Sequence, residues 1–203
     1  MSGPVTRWWW VRHAPTRGDR GIIRGSGTDA PADTAHPVAL DGLAALLPPP
    51  DALFVTPLQR TAQTARALAE HGVVLPDAAV EPAFAEQHFG TWEGGRWDGL
   101  ADAAAAFWRD PARTAPPGGE ALATVMARVG TAVDGHTRAN AGGDILCVAH
   151  AGALRGAVAH ALGLTPDQAL RLAFDPLGVT RLEALGDAGW RVGCINQVVP
   201  EVP

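Results

Sequence analysis

Trp8-Trp9-Trp10-Val11-Arg12-His13 is an apolar run that stops abruptly on an adjacent arginine and histidine. A run this short, made of aromatic and β-branched residues, predicts a strand buried on both faces. The pattern recurs near the other end of the chain, where Ile145-Leu146-Cys147-Val148-Ala149 runs into His150 and is followed by Ala151-Gly152. In an open α/β sheet, residues just past the carboxyl ends of strands line the crevice where ligands bind. The two histidines are therefore expected to share one pocket, and a fixed cation beside a potential nucleophile points to phosphate.

Working outward, residues 51–55 give a third buried strand, and helical periodicity alternates with the strands. Ala62, Ala65 and Ala69 are expected to share a stripe with Leu58. Leu122, Val125, Met126, Val129 and Val133 follow the spacing of a helix with one buried face, as do Leu154, Ala157, Val158, Ala161 and Leu162 after His150. Strands and helices in alternation imply βαβ units and a mostly parallel sheet. Residues 178–185 and 190–195 flank Gly186-Asp187-Ala188-Gly189, which reads as a hairpin and predicts an antiparallel edge. The stretch 14–37 has no period and is longer than an ordinary connection, which marks a functional loop. Pro48-Pro49-Pro50 and Pro116-Pro117-Gly118-Gly119 read as punctuation between elements, so one domain over 1–203 is expected.

At 203 residues, 47% hydrophobic and 18% charged, the chain has the composition of an ordinary globular protein able to bury a core. All 16 basic residues are arginine, so every cation keeps its charge and can fork onto a phosphate or carboxylate. The net charge of -5 argues against nucleic acid, which needs a broad basic face. Cys147 and Cys194 lie far apart without CxxC spacing, and the histidines lack metal-ligand spacing, so neither a disulfide framework nor a metal site is expected. No long apolar segment is present to enter a membrane, and a cytoplasmic protein is expected.

Thr56-Pro57-Leu58-Gln59-Arg60 follows the 51–55 strand and predicts a helix start, with Thr56 as N-cap, Pro57 at the first position and Gln59 completing a capping box. Arg60 then sits in the first turn, where orphan N–H groups and the helix dipole already favour an anion. Arg12 and Arg60 are thus candidate phosphate ligands. Thr16 either donates its hydroxyl to the same anion or caps the loop. Glu120 reads as helix N-terminal chemistry or as a group that orients the site. The tryptophans read as core and pocket wall rather than as a stacking platform for bases, with Trp92 and Trp97 the candidate walls.

Arg12-His13-Ala14-Pro15-Thr16, the stretch Thr56 to Ala65, Glu86-Gln87-His88-Phe89-Gly90-Thr91-Trp92-Glu93-Gly94 and His150-Ala151-Gly152, in this order, resemble the histidine phosphatase superfamily, also called phosphoglycerate mutase-like. The resemblance runs from about residue 7 to 195, with Pro117-Gly118-Gly119-Glu120 a softer match. It implies a three-layer α/β/α sandwich with a mostly parallel, doubly wound sheet and an antiparallel C-terminal edge. It also implies metal-independent chemistry with no cofactor. His13 would attack phosphorus, kept as a neutral imidazole by Arg12 and Arg60, which with His150 would hold the phosphoryl oxygens. Glu86, flanked in sequence by Glu81 and Glu93, matches the family's proton donor to the leaving group. Ala14-Pro15 stands where the family usually has Gly-Glu, which removes a carboxylate and an N–H. Ala151 stands in place of a glycine.

The expected activity is hydrolysis of a small phosphorylated metabolite. The Arg-His-Ala-Pro-Thr and Phe-Gly-Thr-Trp-Glu-Gly motifs most resemble the α-ribazole phosphatase-like branch of cobalamin biosynthesis, which would make α-ribazole 5'-phosphate the substrate. A phosphoglycerate-type phosphomutase is the nearest alternative, disfavoured because the segment between Glu93 and Glu120 is short for a large cap. A catalytically silent phosphate-sensing or scaffold protein is the alternative from another class. Specificity is assigned to loop 14–37 and the 95–118 region, and the oligomeric state is left open.

Overall fold

The tryptophan run lies at the centre of the sheet. The computed structural model describes residues 4–18, 21–100 and 104–199. Six strands are described, β1 (Thr6–Arg12), β2 (Ala52–Val55), β3 (Ala78–Val80), β4 (Asp144–Ala149), β5 (Val179–Ala184) and β6 (Trp190–Gln197), in the order β3-β2-β4-β1-β5-β6. β1 pairs in parallel with β4, which pairs in parallel with β2, and β2 with β3. β5 and β6 are antiparallel, so the hairpin supplies the expected antiparallel edge.

The helices are α1 (Pro37–Leu46), α2 (Gln59–Glu70), α3 (Ala105–Arg109), α4 (Leu122–Ala139), α5 (Ala151–Leu162) and α6 (Pro166–Ala169). Side chains alternate across each strand, so one face of β1 and β4 presents Trp8, Trp10, Ile145 and Cys147 while the other presents Val11, Leu146 and Val148. The first face packs on α4 and α5 through Val125, Val129, Leu154 and Val158. The second packs on α1 and α2 through Leu40, Leu43, Ala65 and Leu68. Helices on both faces of a mostly parallel sheet make the three-layer α/β/α sandwich the motifs implied. Trp8 and Trp10 are fully buried and stacked, with ring centroids 5.1 Å apart. Truncating Trp8 to alanine removes a ring packed against Trp10, Phe54, Phe84 and His136, a change that costs about 3–5 kcal/mol in well-packed cores.

Two local expectations are corrected. α2 begins at Gln59 with Leu58 as N-cap and no side-chain cap, so the Thr56–Gln59 capping box does not form. The Thr56 hydroxyl is instead turned inward to His150. The buried face of α2 is Arg60, Thr61, Thr64, Ala65, Ala67 and Leu68 rather than the alanine stripe, because the polar residues serve the site described next. Loop 14–37 carries no helix or strand before α1 among its described residues. It is tied down by isolated bridges between Thr16 and Ala32 and between Ile22 and Arg96. Residues 19–20 of that loop and 101–103 of the 95–118 region lie outside the described residues.

Candidate active site

β1 and β4 are neighbours in register, Arg12 opposite Ala149, so the next residue of each strand, His13 and His150, emerges side by side. Adjacent strands lie about 4.8 Å apart, and the two imidazole centroids are 5.0 Å apart, inclined at 61°. Both rings are buried. The His13 Nδ1–H donates to its neighbour's carbonyl, Ala14 O, at 2.7 Å. That bond fixes the tautomer and leaves Nε2 with its lone pair. His150 Nε2 lies 2.8 Å from the Thr56 hydroxyl at the end of β2. With that hydroxyl donating to Nε2, His150 Nδ1 carries the proton, and it is buried with no hydrogen-bond partner.

Two guanidinium groups act on this pair, Arg12 and Arg60, and a third, Arg155, lies near Arg12. Arg12, the last residue of β1, donates through Nη1 to Phe174 O. Arg60, in the first turn of α2, is 1% exposed and donates to Thr28 O at 2.8 Å and Gly25 O at 3.2 Å, which pins loop 14–37 to the site. Thr64, one turn further along α2, accepts from the Ala14 N–H at 2.9 Å and so holds the chain just past the nucleophile candidate. Arg155, which the sequence reading did not single out, lies one turn inside α5 and donates through Nε to Leu172 O at 3.1 Å. Its signal was its place five residues after His150 on a predicted helix.

Glu86 completes the cluster. Its Oε1 accepts from the N–H of Gln87 at 2.9 Å and from the N–H of Gly152, at the start of α5, at 3.0 Å. A Cβ at position 152 would collide with that carboxylate oxygen, so only glycine lets Glu86 reach the helix terminus. The segment that carries Glu86 is clamped from behind. Arg128 donates to Ala83 O at 2.6 Å and Glu86 O at 3.3 Å while paired with Glu120, and Glu120 accepts from the His88 N–H at 3.1 Å. Glu120 thus acts as an orienting group. It does not cap α4, whose N-cap is Ala121.

The electrostatics favour uncharged imidazoles and bound anions. Burial, then Arg60, push the His13 pKa down to about 3 against the opposing bond to Ala14, with Arg12 adding a smaller push downward. Burial, then His13, Arg60 and Arg12, push that of His150 well down too. Burial lowers the Arg12 and Arg60 pKa values, with Glu86 opposing. Arg12 Nε, Arg60 Nε and His150 Nδ1 are three of the five buried side-chain polar atoms without a partner among the described residues. Each such donor costs about 1–3 kcal/mol when unpaired, which favours an anion as their partner.

The cost of charging His13 inside the fold sets a pH dependence of stability. Above about 6.5, its ordinary value, neither the folded nor the unfolded state binds this proton. As pH falls from about 6.5 toward about 3, the unfolded chain takes up a proton that the folded one refuses, so stability is lost across that window. One such group contributes a slope of about 1.4 kcal/mol per pH unit. Urea unfolding at pH 7, 6, 5 and 4 is expected to show a shallower decline for His13→Ala than for the wild type. Parallel declines would show that His13 is not held neutral.

Beside His13 lies a cavity of about 770 Å³ whose lining includes Arg12, Thr16, Arg17, Arg24 and His36. Thr16 lines this cavity, and its backbone bridges the loop to Ala32. Trp92 and Trp97 do not wall this cavity. Trp92 packs with Ile23, Ala104 and Phe107 in a separate cluster, and Trp97 stands edge-on to Phe89. No group of three or more His, Cys, Asp or Glu among the described residues could hold a metal ion, and no described helix is long and apolar enough to cross a membrane.

Residues 8–198 match the family model for the histidine phosphatase superfamily, branch 1. The chain belongs to that superfamily. Its solved relatives include a mycobacterial glucosyl-3-phosphoglycerate phosphatase, 24% identical over 95% of this chain and 99% of that one, with a TM-score of 0.82. The α-ribazole phosphatase from Shigella flexneri is 22% identical over 94% and 96%, with a TM-score of 0.82. A phosphoserine phosphatase variant from Entamoeba histolytica, in complex with phosphoserine, is 19% identical over 95% and 97%, with a TM-score of 0.79. A search of curated proteins found no match. The solved structures establish the fold, and the family model establishes the superfamily. Within it, the histidine pair, Arg12, Arg60 and Glu86 sit together as the sequence motifs anticipated.

Proposed function

We infer that this histidine phosphatase superfamily chain hydrolyses a small phosphomonoester through a covalent phosphohistidine on His13. The observation that carries the reading is the presence of buried donors without a partner, Arg12 Nε, Arg60 Nε and His150 Nδ1, on the three residues that act on a neutral His13 whose free Nε2 is the nucleophile. The substrate phosphoryl group is held by Arg12, Arg60 and His150, with Thr16 at the mouth. His13 Nε2 forms a bond to phosphorus as the ester oxygen departs on the opposite side. Glu86 gives its proton to that oxygen, so an alcohol leaves rather than an alkoxide. Water then attacks the phosphohistidine, Glu86 takes a proton from it, and inorganic phosphate and neutral His13 are restored.

Residues of this chain supply every group in that sequence, so no metal or cofactor is invoked. The partner is a small phosphorylated metabolite, not nucleic acid or a membrane, and the protein works in the cytoplasm. Candidate substrates follow from the branch resemblance, α-ribazole 5'-phosphate, and from the relatives above, phosphoserine and glucosyl-3-phosphoglycerate. The test is turnover of p-nitrophenyl phosphate between pH 5 and 8 with and without chelator. Chelator-insensitive hydrolysis is the expected result. A folded protein that binds phosphate but turns nothing over would establish the silent sensor. Transfer of the phosphoryl group to a second alcohol in preference to water would establish the mutase.

A further inference from the structure

Arg155 has no place in the sequence above, yet its charge bears on two groups that do, Arg12 and Glu86. Helical side chains lean back toward the N-terminus, over the residues three and four positions earlier. For Arg155 those are Gly152 and Ala151, and the Gly152 N–H is the one that holds Glu86. Its Nε is anchored on Leu172 O, and Arg12 is anchored on Phe174 O, two residues further along the same connection. Two residues of chain span at most about 7 Å, so the two guanidinium groups hang side by side.

Two like charges in a partly buried place need a counter-charge. Arg12 has both Glu86 and Asp175 acting on it, whereas for Arg155 the acting anion is Glu86. Glu86 is thus shared between the two guanidinium groups, and one carboxylate does not balance both. Among the described residues its two Nη nitrogens have no hydrogen-bond partner. With Nε occupied by Leu172 O, the outer Nη pair forms an end-on fork that matches the two oxygens of a carboxylate.

We propose that Arg155 is a specificity-determining residue that binds a carboxylate on the alcohol portion of the substrate, beside the oxygen that Glu86 protonates. This rests on the phosphatase reading and narrows it. The site selects phosphate esters of hydroxy acids, and a neutral alcohol such as that of α-ribazole 5'-phosphate gives Arg155 nothing to hold.

O-phosphoserine and O-phosphoethanolamine differ by one carboxylate and isolate the effect. The wild type is expected to favour O-phosphoserine in kcat/KM by about tenfold or more, mainly through KM, and Arg155→Gln to lower that ratio by at least about tenfold. Arg155→Lys, which keeps the charge but not the fork, should fall between. A wild type with no preference, or a ratio unchanged in Arg155→Gln, overturns the proposal, as does an equal loss on both esters, which marks a positioning role through Leu172. If the wild type hydrolyses neither ester nor p-nitrophenyl phosphate, the functional reading fails instead. Calorimetric binding of the same two esters to wild type and Arg155→Gln then decides the role of Arg155 separately.

Discussion

His13→Ala is expected to lower p-nitrophenyl phosphate turnover by about four orders of magnitude or more, because it removes the atom that forms the bond to phosphorus. The variant should still fold. His13 is a buried neutral ring that bonds only to its neighbour's carbonyl, and it lies outside the hydrophobic core in which Trp8 and Trp10 are packed. It should still bind inorganic phosphate, since the Arg12 and Arg60 guanidinium groups are held by Phe174 O, Thr28 O and Gly25 O and not by the imidazole. Steady-state assay with calorimetry on one preparation separates the two properties. Turnover within tenfold of wild type would mean that water attacks the ester directly and His13 only binds.

Glu86→Gln carries the second large effect, and its signature depends on the leaving group. A glutamine oxygen can still accept from the N–H groups of Gln87 and Gly152, so the side chain keeps its place and loses only its exchangeable proton. An alkoxide needs that proton and a nitrophenolate does not. Loss of a positioned acid costs about 10²–10⁴ in rate, and kcat/KM for an alkyl phosphate should fall by that amount while kcat/KM for p-nitrophenyl phosphate falls far less. With the aryl ester, kcat should drop because the same residue assists the water in the second step, and the phosphorylated protein should accumulate. Equal losses in kcat/KM on both esters would assign Glu86 to phosphate binding.

The parts of this site that the sequence displays are those set by short-range rules. A buried strand that ends on Arg12-His13, another that ends on His150, and a helix whose second residue is Arg60 follow from hydrophobic run length and helix periodicity. The hairpin after Leu177 was equally plain, because Gly186 and Gly189 take positive φ angles that other residues avoid. What stayed hidden depends on chain segments meeting in space. Thr56 looks like an N-cap until β4 brings His150 to within 2.8 Å of its hydroxyl. Trp92 and Trp97 stand near Glu86 in sequence, but Ile23 from loop 14–37 and Phe107 draw Trp92 into a cluster of its own. Arg155 shows its meaning only once Leu172 and Phe174 align it with Arg12.

The central claim is that a covalent bond forms between phosphorus and His13. Rapid acid-free quenching of wild type and Glu86→Gln during turnover of p-nitrophenyl phosphate, followed by peptide mass spectrometry under alkaline conditions, reads it directly. The account predicts a phosphoryl group on the peptide that contains His13, stable to alkali and labile to acid, more abundant in Glu86→Gln and absent from His13→Ala. An unmodified His13 during sustained hydrolysis, or a label on His150 instead, would contradict it.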